Sequence, residues 1–226
     1  MLISVHIPKT GGSSFRTLLE NHFKEKLLLD YADTPFEYNN FIRNSLAVTK
    51  IWQARQLEQQ YVCVHGHFLP IKYHFLKEKT FLIWLREPVE MIVSLYYYIQ
   101  RKVDPKKRKV KKYMGDMNIS LEDFCKITHF HNIYAKYLWG MSLEQFDFVG
   151  ITENYNNSLN LFEKTCNINL TNNPIIENVN PEKNSSNDRY KISDKLRKQI
   201  CDFNYKDVLI YQQAIELNQR LEQRYL

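Results

Sequence analysis

The chain is poor in the features that mark disulfide-rich, zinc-binding and membrane-spanning proteins. Its 226 residues include only four cysteines, and none of them stands in a Cys-x-x-Cys pair, which excludes a dense disulfide framework and predicts reduced, buried thiols. No apolar run of about 18 residues occurs, and no basic segment followed by an apolar one opens the chain. We therefore expect a cytoplasmic protein without a transmembrane segment.

Glycine is scarce as well, and two of the six glycines are adjacent. They lie between an apolar run at residues 2–7 and an amphipathic run at residues 15–27, which predicts a strand, a tight loop and a helix. Glycine lets the loop backbone turn its N–H groups inward, and the first turn of a helix leaves further N–H groups unpaired, so this loop suits an anion. Its residues are Pro8, Lys9, Thr10, Gly11, Gly12, Ser13 and Ser14.

The order of residues in this loop differs from that of the nucleotide-binding P-loop. In the pattern Gly-x-x-x-x-Gly-Lys-Ser/Thr the lysine follows the glycines, whereas Lys9 precedes Gly11 and Gly12. The loop therefore does not predict a Walker motif. A purely structural turn is the alternative interpretation.

A second strand and helix are predicted from residue 80 onward. Residues 80–85 form a short apolar run typical of a buried parallel strand, and Pro88 suits the first turn of a following helix. Arg86 ends the strand, and Ser94 lies eight residues later. A guanidinium group can bind two phosphate oxygens at once, and the hydroxyl group adds a neutral donor on the same helix face. A surface ion pair and an ordinary helix-face serine are the alternatives.

Residues 61–68 predict a third strand, which ends at two histidines on either side of Gly66. The carboxyl ends of parallel strands face the ligand crevice of an open α/β sheet. Because the ordinary pKa of histidine is near 6.5, such a side chain can take a proton from a hydroxyl group at neutral pH. A structural histidine pair remains an alternative, and so does zinc, although no Cys/His cluster follows at zinc-site spacing.

These three segments resemble those of sulfotransferases, which use 3′-phosphoadenosine-5′-phosphosulfate (PAPS) as sulfuryl donor. The resemblance is greatest to the 2-O- and 6-O-sulfotransferases of heparan and dermatan sulfate. It implies a P-loop NTPase-like three-layer α/β fold with a central parallel sheet flanked by helices, formed by residues 1–226 as a single domain. It also implies that no metal is required and that the nucleotide product is 3′,5′-ADP. Because relatives in the Golgi carry a membrane anchor, a trimmed catalytic domain of a Golgi enzyme is the alternative to a cytoplasmic protein.

Roles for individual residues follow from the same resemblance. Lys9 and the rest of the loop would hold the 5′-phosphosulfate, and Arg86 with Ser94 would hold the 3′-phosphate. His67 would be the catalytic base, with His65 beside it. Glutamate stands at position 87 where these enzymes have aspartate, and we expect it to cap the helix.

The resemblance extends to three later segments. Residues 146–151 predict a strand that holds the sheet together and leads through a turn into a helix at 158–166. Asn132 and Lys136 are candidates for the acceptor side, with ordinary helix-surface residues as the alternative. A loop before the C-terminal helices would close over the nucleotide, or else is a solvated charged loop; its candidate contacts are Lys183, Ser185, Arg189 and Lys191.

Positive charge is concentrated in one segment. Residues 101–112 carry a charge of +7, whereas the whole chain carries +6. The segment is a candidate site for an acidic polysaccharide, through Lys106, Lys107, Arg108 and Lys109. A solvated loop is the alternative. A nucleic-acid site is not favoured, because neither interleaved aromatic residues nor a recognisable nucleic-acid-binding module is present.

The function predicted from sequence is PAPS-dependent transfer of a sulfuryl group to a hydroxyl group of a carbohydrate, and the predicted carbohydrate is an anionic glycan. A nucleotide kinase and a non-catalytic polyanion-binding module are the alternatives. Two helices are predicted at residues 194–203 and 205–225, and their apolar spacing fits packing on the core of a monomer or a weak homodimer.

Overall fold

Five parallel strands form the centre of the protein. The computed structural model describes residues 1–33, 39–102, 119–170 and 189–226, and within them the strand order is β2-β3-β1-β4-β5. All four neighbouring strand pairs are parallel. The strands are β1 (Leu2–Val5), β2 (Leu27–Leu29), β3 (Cys63–Gly66), β4 (Thr80–Leu85) and β5 (Phe148–Ile151).

Helices flank this sheet, which confirms the predicted α/β architecture. Asn39 and Ser193 cap α2 and α8 by accepting hydrogen bonds from backbone N–H groups in the first turn. Among the described residues, no helix combines the length and the apolar character that crossing a membrane requires. The helices are α1 (Gly12–Phe23), α2 (Asn40–Thr49), α3 (Ile51–Leu57), α4 (Pro88–Lys102), α5 (Leu121–Cys125), α6 (Ile133–Tyr137), α7 (Tyr155–Cys166), α8 (Asp194–Phe203) and α9 (Tyr205–Tyr225).

Both faces of the sheet are buried. In β4, Leu82 and Trp84 pack in one apolar cluster with residues of α1 and α7, whereas Phe81, Ile83 and Leu85 pack in the other, with residues of α4, α6, α8 and α9. Successive side chains of a strand point to opposite faces, so a central strand covered on both sides reads as a continuous apolar run. This explains why β4 is recognisable in the sequence.

The first helix differs from its prediction at both ends. It begins at Gly12 because the loop residues themselves form its first turn, and it ends at Phe23. Lys24 ends it with a positive φ of 48°. Leu27–Leu29 then form an edge strand on β3 instead of a further helical turn. Three consecutive leucines fit either structure, and pairing with β3 decides between them.

The strand order determines which loops meet. Strand β1 lies between β3 and β4, so the loop after β1 lies between the histidines that end β3 and the arginine that follows β4. In a parallel sheet these three carboxyl ends share one edge. The topology therefore brings all three predicted motifs to the same side of the molecule.

Candidate active site

The loop after β1 is fixed by hydrogen bonds to its surroundings. Lys9 and Gly11 have left-handed backbones, with φ of 69° and 82°. The hydroxyl group of Thr10, which is buried, donates to the carbonyl of Ile7 at 2.9 Å. The hydroxyl group of Thr152 lies 2.8 Å from the carbonyl oxygen of Thr10 and 2.9 Å from that of Leu85. The turn that follows β5 thus ties the loop to the end of β4.

The N-terminus of α1 carries the positive partial charge of the helix dipole. No side chain caps it, and no acidic residue lies in its first turn. The aligned peptide dipoles and the unpaired N–H groups of a helix N-terminus favour an anion. Within the first turn, Ser13 is exposed and Ser14 is partly exposed.

Cationic side chains surround this N-terminus. The Lys9 amine lies 4.5 Å from the ring centroid of Tyr98, and Arg86 donates from Nη1 to the Lys9 carbonyl at 3.2 Å. The pKa of Lys9 is lowered to about 8, first by burial and in addition by the nearby positive charges of Arg86 and Arg101. A lysine whose neighbours include two arginines lies in a region of excess positive charge. The one acid that pairs with Arg86 among the described residues is Glu153, at 3.9 Å.

Arg86 stands on a rigid support. The Tyr134 hydroxyl donates to the Arg86 carbonyl at 2.5 Å, and the Arg86 N–H donates back to that hydroxyl oxygen at 3.2 Å. The Glu87 carboxylate accepts from the N–H groups of Val89 and Glu90 at 3.2 and 2.9 Å, so its predicted role as a helix cap is confirmed. Ser94 is buried further along α4.

Three histidine rings lie together beside the loop. The ring centroid of His6 is 5.0 Å from that of His65 and 4.5 Å from that of His67. A Cβ atom at Gly12 would lie 2.0 Å from the His6 ring, so only glycine leaves room for that ring. The second glycine of the pair therefore has a packing role in addition to the one predicted for the loop backbone.

Burial keeps these histidines neutral at physiological pH. It lowers the pKa of His65 to about 3, that of His67 to about 4 and that of His6 well below 6.5. Nδ1 of His67 bonds the backbone carbonyl of His6, and because a carbonyl only accepts, Nδ1 must carry the proton. The lone pair is then on Nε2, which has no hydrogen-bond partner in the described part of the chain. His67, which is partly exposed, is thus present as a free base.

This cluster predicts loss of stability in mild acid. Between about pH 6.5 and pH 4 the unfolded chain binds protons on these histidines and the folded chain does not, so the free energy of unfolding falls as pH falls. Each such group contributes up to about 1.4 kcal/mol per pH unit. Denaturant unfolding of His65→Asn at about pH 7.5 and about pH 5 should show a smaller difference than the native protein does.

The exposed residue His22 provides the control, because its substitution by asparagine removes a histidine outside the cluster. His22→Asn should keep the full pH dependence of the native protein. Equal pH dependence in His65→Asn and the native protein would contradict the assignment of a neutral, buried His65.

Two of the predicted acceptor residues, Asn132 and Lys136, do not line the site around the loop after β1. Asn132 accepts a hydrogen bond from the N–H of Lys206 at 3.1 Å and donates to the Phe203 carbonyl at 3.3 Å, which ties α6 to the junction of α8 and α9. The Lys136 amine donates to the His129 carbonyl at 2.7 Å. Both residues line a separate cleft, and none of the residues of the loop after β1 lines it.

The other predicted contacts are distributed over two regions. Arg189 is exposed and lies close enough to Tyr211 to influence its pKa, and the Tyr211 hydroxyl donates to Glu153 at 2.8 Å. Lys191 is exposed as well. The remaining ones lie outside the described residues: Lys183 and Ser185 of the nucleotide loop, and Lys106, Lys107, Arg108 and Lys109 of the basic segment.

No protein-family model and no curated protein matches this chain. In the ranges that the structure describes, no group of three His, Cys, Asp or Glu side chains could hold a metal ion. We therefore infer the function from the site itself.

Some residues of the site were not predicted from the sequence. Tyr98 and Arg101 lie four and seven residues after Ser94, so helical spacing could have indicated that α4 presents them on one face. The position of His6 directly before the loop suits either a packing residue or one that lines the loop, but its contact with the rings of His65 and His67 is not visible in the sequence.

Proposed function

We propose that this protein is a PAPS-dependent sulfotransferase that acts on a hydroxyl group of a carbohydrate. The observation that carries the proposal is the meeting of a partly buried cation cluster with a neutral histidine at one edge of the sheet. Lys9, Arg86 and Arg101 form the cluster, and His67 is the histidine. The position of the loop after the central strand supports a P-loop NTPase-like version of the α/β fold.

The residues present fit a donor with two anionic groups. The backbone N–H groups at the start of α1, together with Lys9, suit a 5′-phosphosulfate. Arg86, only 12% exposed and held at its backbone by Tyr134, suits the 3′-phosphate. A bound anion would also relieve the mutual repulsion that lowers the pKa of Lys9.

When bound, PAPS supplies an activated sulfuryl group, and the protein handles protons and charge. Nε2 of His67 takes the proton of the acceptor hydroxyl as its oxygen bonds to sulfur. Lys9 would neutralise the charge that the 5′-phosphate oxygen takes on as its bond to sulfur breaks. Anionic groups nearby raise the pKa of His67 above its value of about 4 in the free protein, which strengthens it as a base. Positioning and charge stabilisation provide the rest of the rate enhancement.

We further propose that the acceptor is an acidic glycan. Residues 101–112 carry a charge of +7. The first residue of this segment, Arg101, is close enough to Lys9 for its positive charge to lower the pKa of that lysine. An anionic chain would be attracted to such a segment, and the attraction would weaken as salt rises.

Calorimetry with nucleotides tests this proposal. We expect 3′,5′-ADP to bind more tightly than adenosine 5′-phosphate, and ATP with magnesium to bind far more weakly. Arg86→Ala should weaken the binding of 3′,5′-ADP by roughly 10- to 100-fold, the range for a lost charge-assisted hydrogen bond. It should weaken the binding of adenosine 5′-phosphate much less, because only 3′,5′-ADP has a 3′-phosphate.

The comparison between the two nucleotides distinguishes the loss of the Arg86 contact with the 3′-phosphate from a distortion of the loop after β1. Arg86 also bonds the Lys9 carbonyl, so a distorted loop would weaken both nucleotides equally. Arg55→Ala, at an exposed arginine of α3, is the matched control and should bind both as the native protein does. Preference for ATP with magnesium would favour a kinase, and binding of a polyanion with no nucleotide affinity would favour a polyanion-binding module.

A further inference from the structure

A second cleft, of about 400 Å³, lies between α2, α6 and the start of α9. This volume is within the range of small-ligand sites. Three of the residues that line it are cationic, Arg43, Lys136 and Lys206, and none is acidic. The ring of Tyr137, the next residue of α6 after Lys136, lies 6.2 Å from the ring of His67. The cleft is therefore one helix away from the proposed base.

Arg43 is an unusual side chain for a helix surface, because it is only 1% exposed. Its Nη2 donates to the Lys136 carbonyl at 2.8 Å and to Asn44 at 3.1 Å. Its Nη1 has no hydrogen-bond partner in the described part of the chain. Asp33 is an acid close enough to Arg43 for its negative charge to act on the pKa of the guanidinium group. Its carboxylate already pairs with Lys72 at 3.6 Å. A buried guanidinium nitrogen that lacks an acceptor is costly unless a ligand supplies one.

The other cations of the cleft lack a free counter-charge as well. The pKa of Lys136 is lowered to about 8, first by burial and in addition by the positive charge of Arg43. Asp207 opposes the shift from behind α6, but its carboxylate accepts the N–H groups of Tyr134 and Ala135 at 3.0 and 3.1 Å. Lys206 is exposed. The cleft thus has a net positive charge.

Trp139 gives the cleft an aromatic surface. It lines the cavity and remains 41% exposed, which is high for a side chain whose size favours burial. The C–H face of a sugar ring packs well on an indole ring, while the charged substituent of the sugar needs a cation nearby. Cations beside an exposed indole are the combination that recognises an acidic sugar.

We infer that this cleft binds an anionic sugar unit, with its carboxylate or sulfate group at Arg43, Lys136 and Lys206 and its ring on Trp139. The identification of that unit as part of the acceptor chain rests on the proposed function. A subsite one helix away from His67 would fix the position of an acidic polymer relative to the base. It would therefore select which hydroxyl group along the chain reaches Nε2.

Calorimetry with three hexasaccharides tests the inference: a sulfated heparin fragment, an unsulfated fragment containing glucuronate, and neutral chitohexaose. Lys206→Glu and Trp139→Ala change exposed or partly exposed residues, so the fold should survive. Each is expected to weaken the heparin fragment by about tenfold, a loss of about 1.4 kcal/mol, and to leave 3′,5′-ADP affinity unchanged. Lys164→Glu introduces the same charge change on α7, away from the cleft, and should have a much smaller effect.

The heparin fragment and the glucuronate fragment distinguish a sulfate group from a carboxylate group as the source of the anionic charge. Sensitivity to Lys206→Glu in the heparin arm alone identifies a sulfate subsite, and sensitivity in the glucuronate arm identifies a carboxylate subsite. Equal effects of Lys206→Glu and Lys164→Glu, or equally tight binding of chitohexaose, would overturn the inference. If the cleft variants weaken oligosaccharide binding but the protein does not bind 3′,5′-ADP, the subsite is upheld and the sulfotransferase proposal is refuted. If the protein binds 3′,5′-ADP but the cleft variants leave oligosaccharide binding unchanged, the sulfotransferase proposal stands and the subsite is refuted.

Discussion

Replacing His67 by alanine is expected to lower turnover by roughly 10²- to 10⁴-fold, the range for a lost general base. Affinity for 3′,5′-ADP should stay nearly unchanged, because the anionic groups of that nucleotide are assigned to Lys9 and Arg86. Steady-state kinetics with saturating acceptor, together with calorimetry on the same preparation, measure the two effects separately.

Two further histidine variants serve as references for His67→Ala. His65→Ala should have a smaller effect on turnover, because the Nδ1 atom of His65 bonds Ser4 at 2.9 Å and the ring is 1% exposed, so it acts through packing. His22→Ala, at an exposed position of α1, should behave as the native protein. Native turnover in His67→Ala would show that the base is another group.

Replacing Lys9 by alanine is expected to damage both binding and rate. The amine would contact the bound phosphosulfate before and during transfer, so we expect 3′,5′-ADP affinity to fall by roughly 10- to 100-fold and turnover to fall as well. The combined loss distinguishes this variant from His67→Ala. Calorimetry and turnover measurements at about pH 7 give both values.

The pH dependence of binding provides the control for Lys9. Because the pKa of Lys9 is lowered to about 8, the free amine loses its proton as pH rises from about 7 to about 9, and affinity for an anion should fall over that interval. Lys9→Arg keeps its charge throughout and should bind with little change in the same interval. A native protein whose affinity does not vary across this interval would contradict the proposed contact.

The sequence predicted the elements whose ends carry strong local signals. Strand β4 occupies residues 80–85 as predicted, and the following helix begins at Pro88 as predicted. Helices α8 and α9 also match, and Ser193 caps α8 through its side chain. The helix predicted at residues 15–27 extends too far, and the edge strand at Leu27–Leu29 is not predicted, because strand pairing is not visible in the sequence.

The composition of the site could be predicted only in part. Parallel strands with adjacent carboxyl ends bring Lys9, Arg86 and His67 to one edge, which follows from topology. The burial of Arg43 and the stacking of His6 depend on how helices and rings pack against one another. Such contacts join residues far apart in the chain, and no local pattern encodes them.

The most direct test of the central claim is transfer of radiolabelled sulfate from PAPS to an acidic polysaccharide such as desulfated heparin. The expected result is label in the polysaccharide together with an equal amount of 3′,5′-ADP, both reduced by roughly 10²- to 10⁴-fold in His67→Ala. Absence of label from acidic and neutral glycans alike, under conditions where 3′,5′-ADP binds, would contradict the claim that this site transfers sulfuryl groups to carbohydrate.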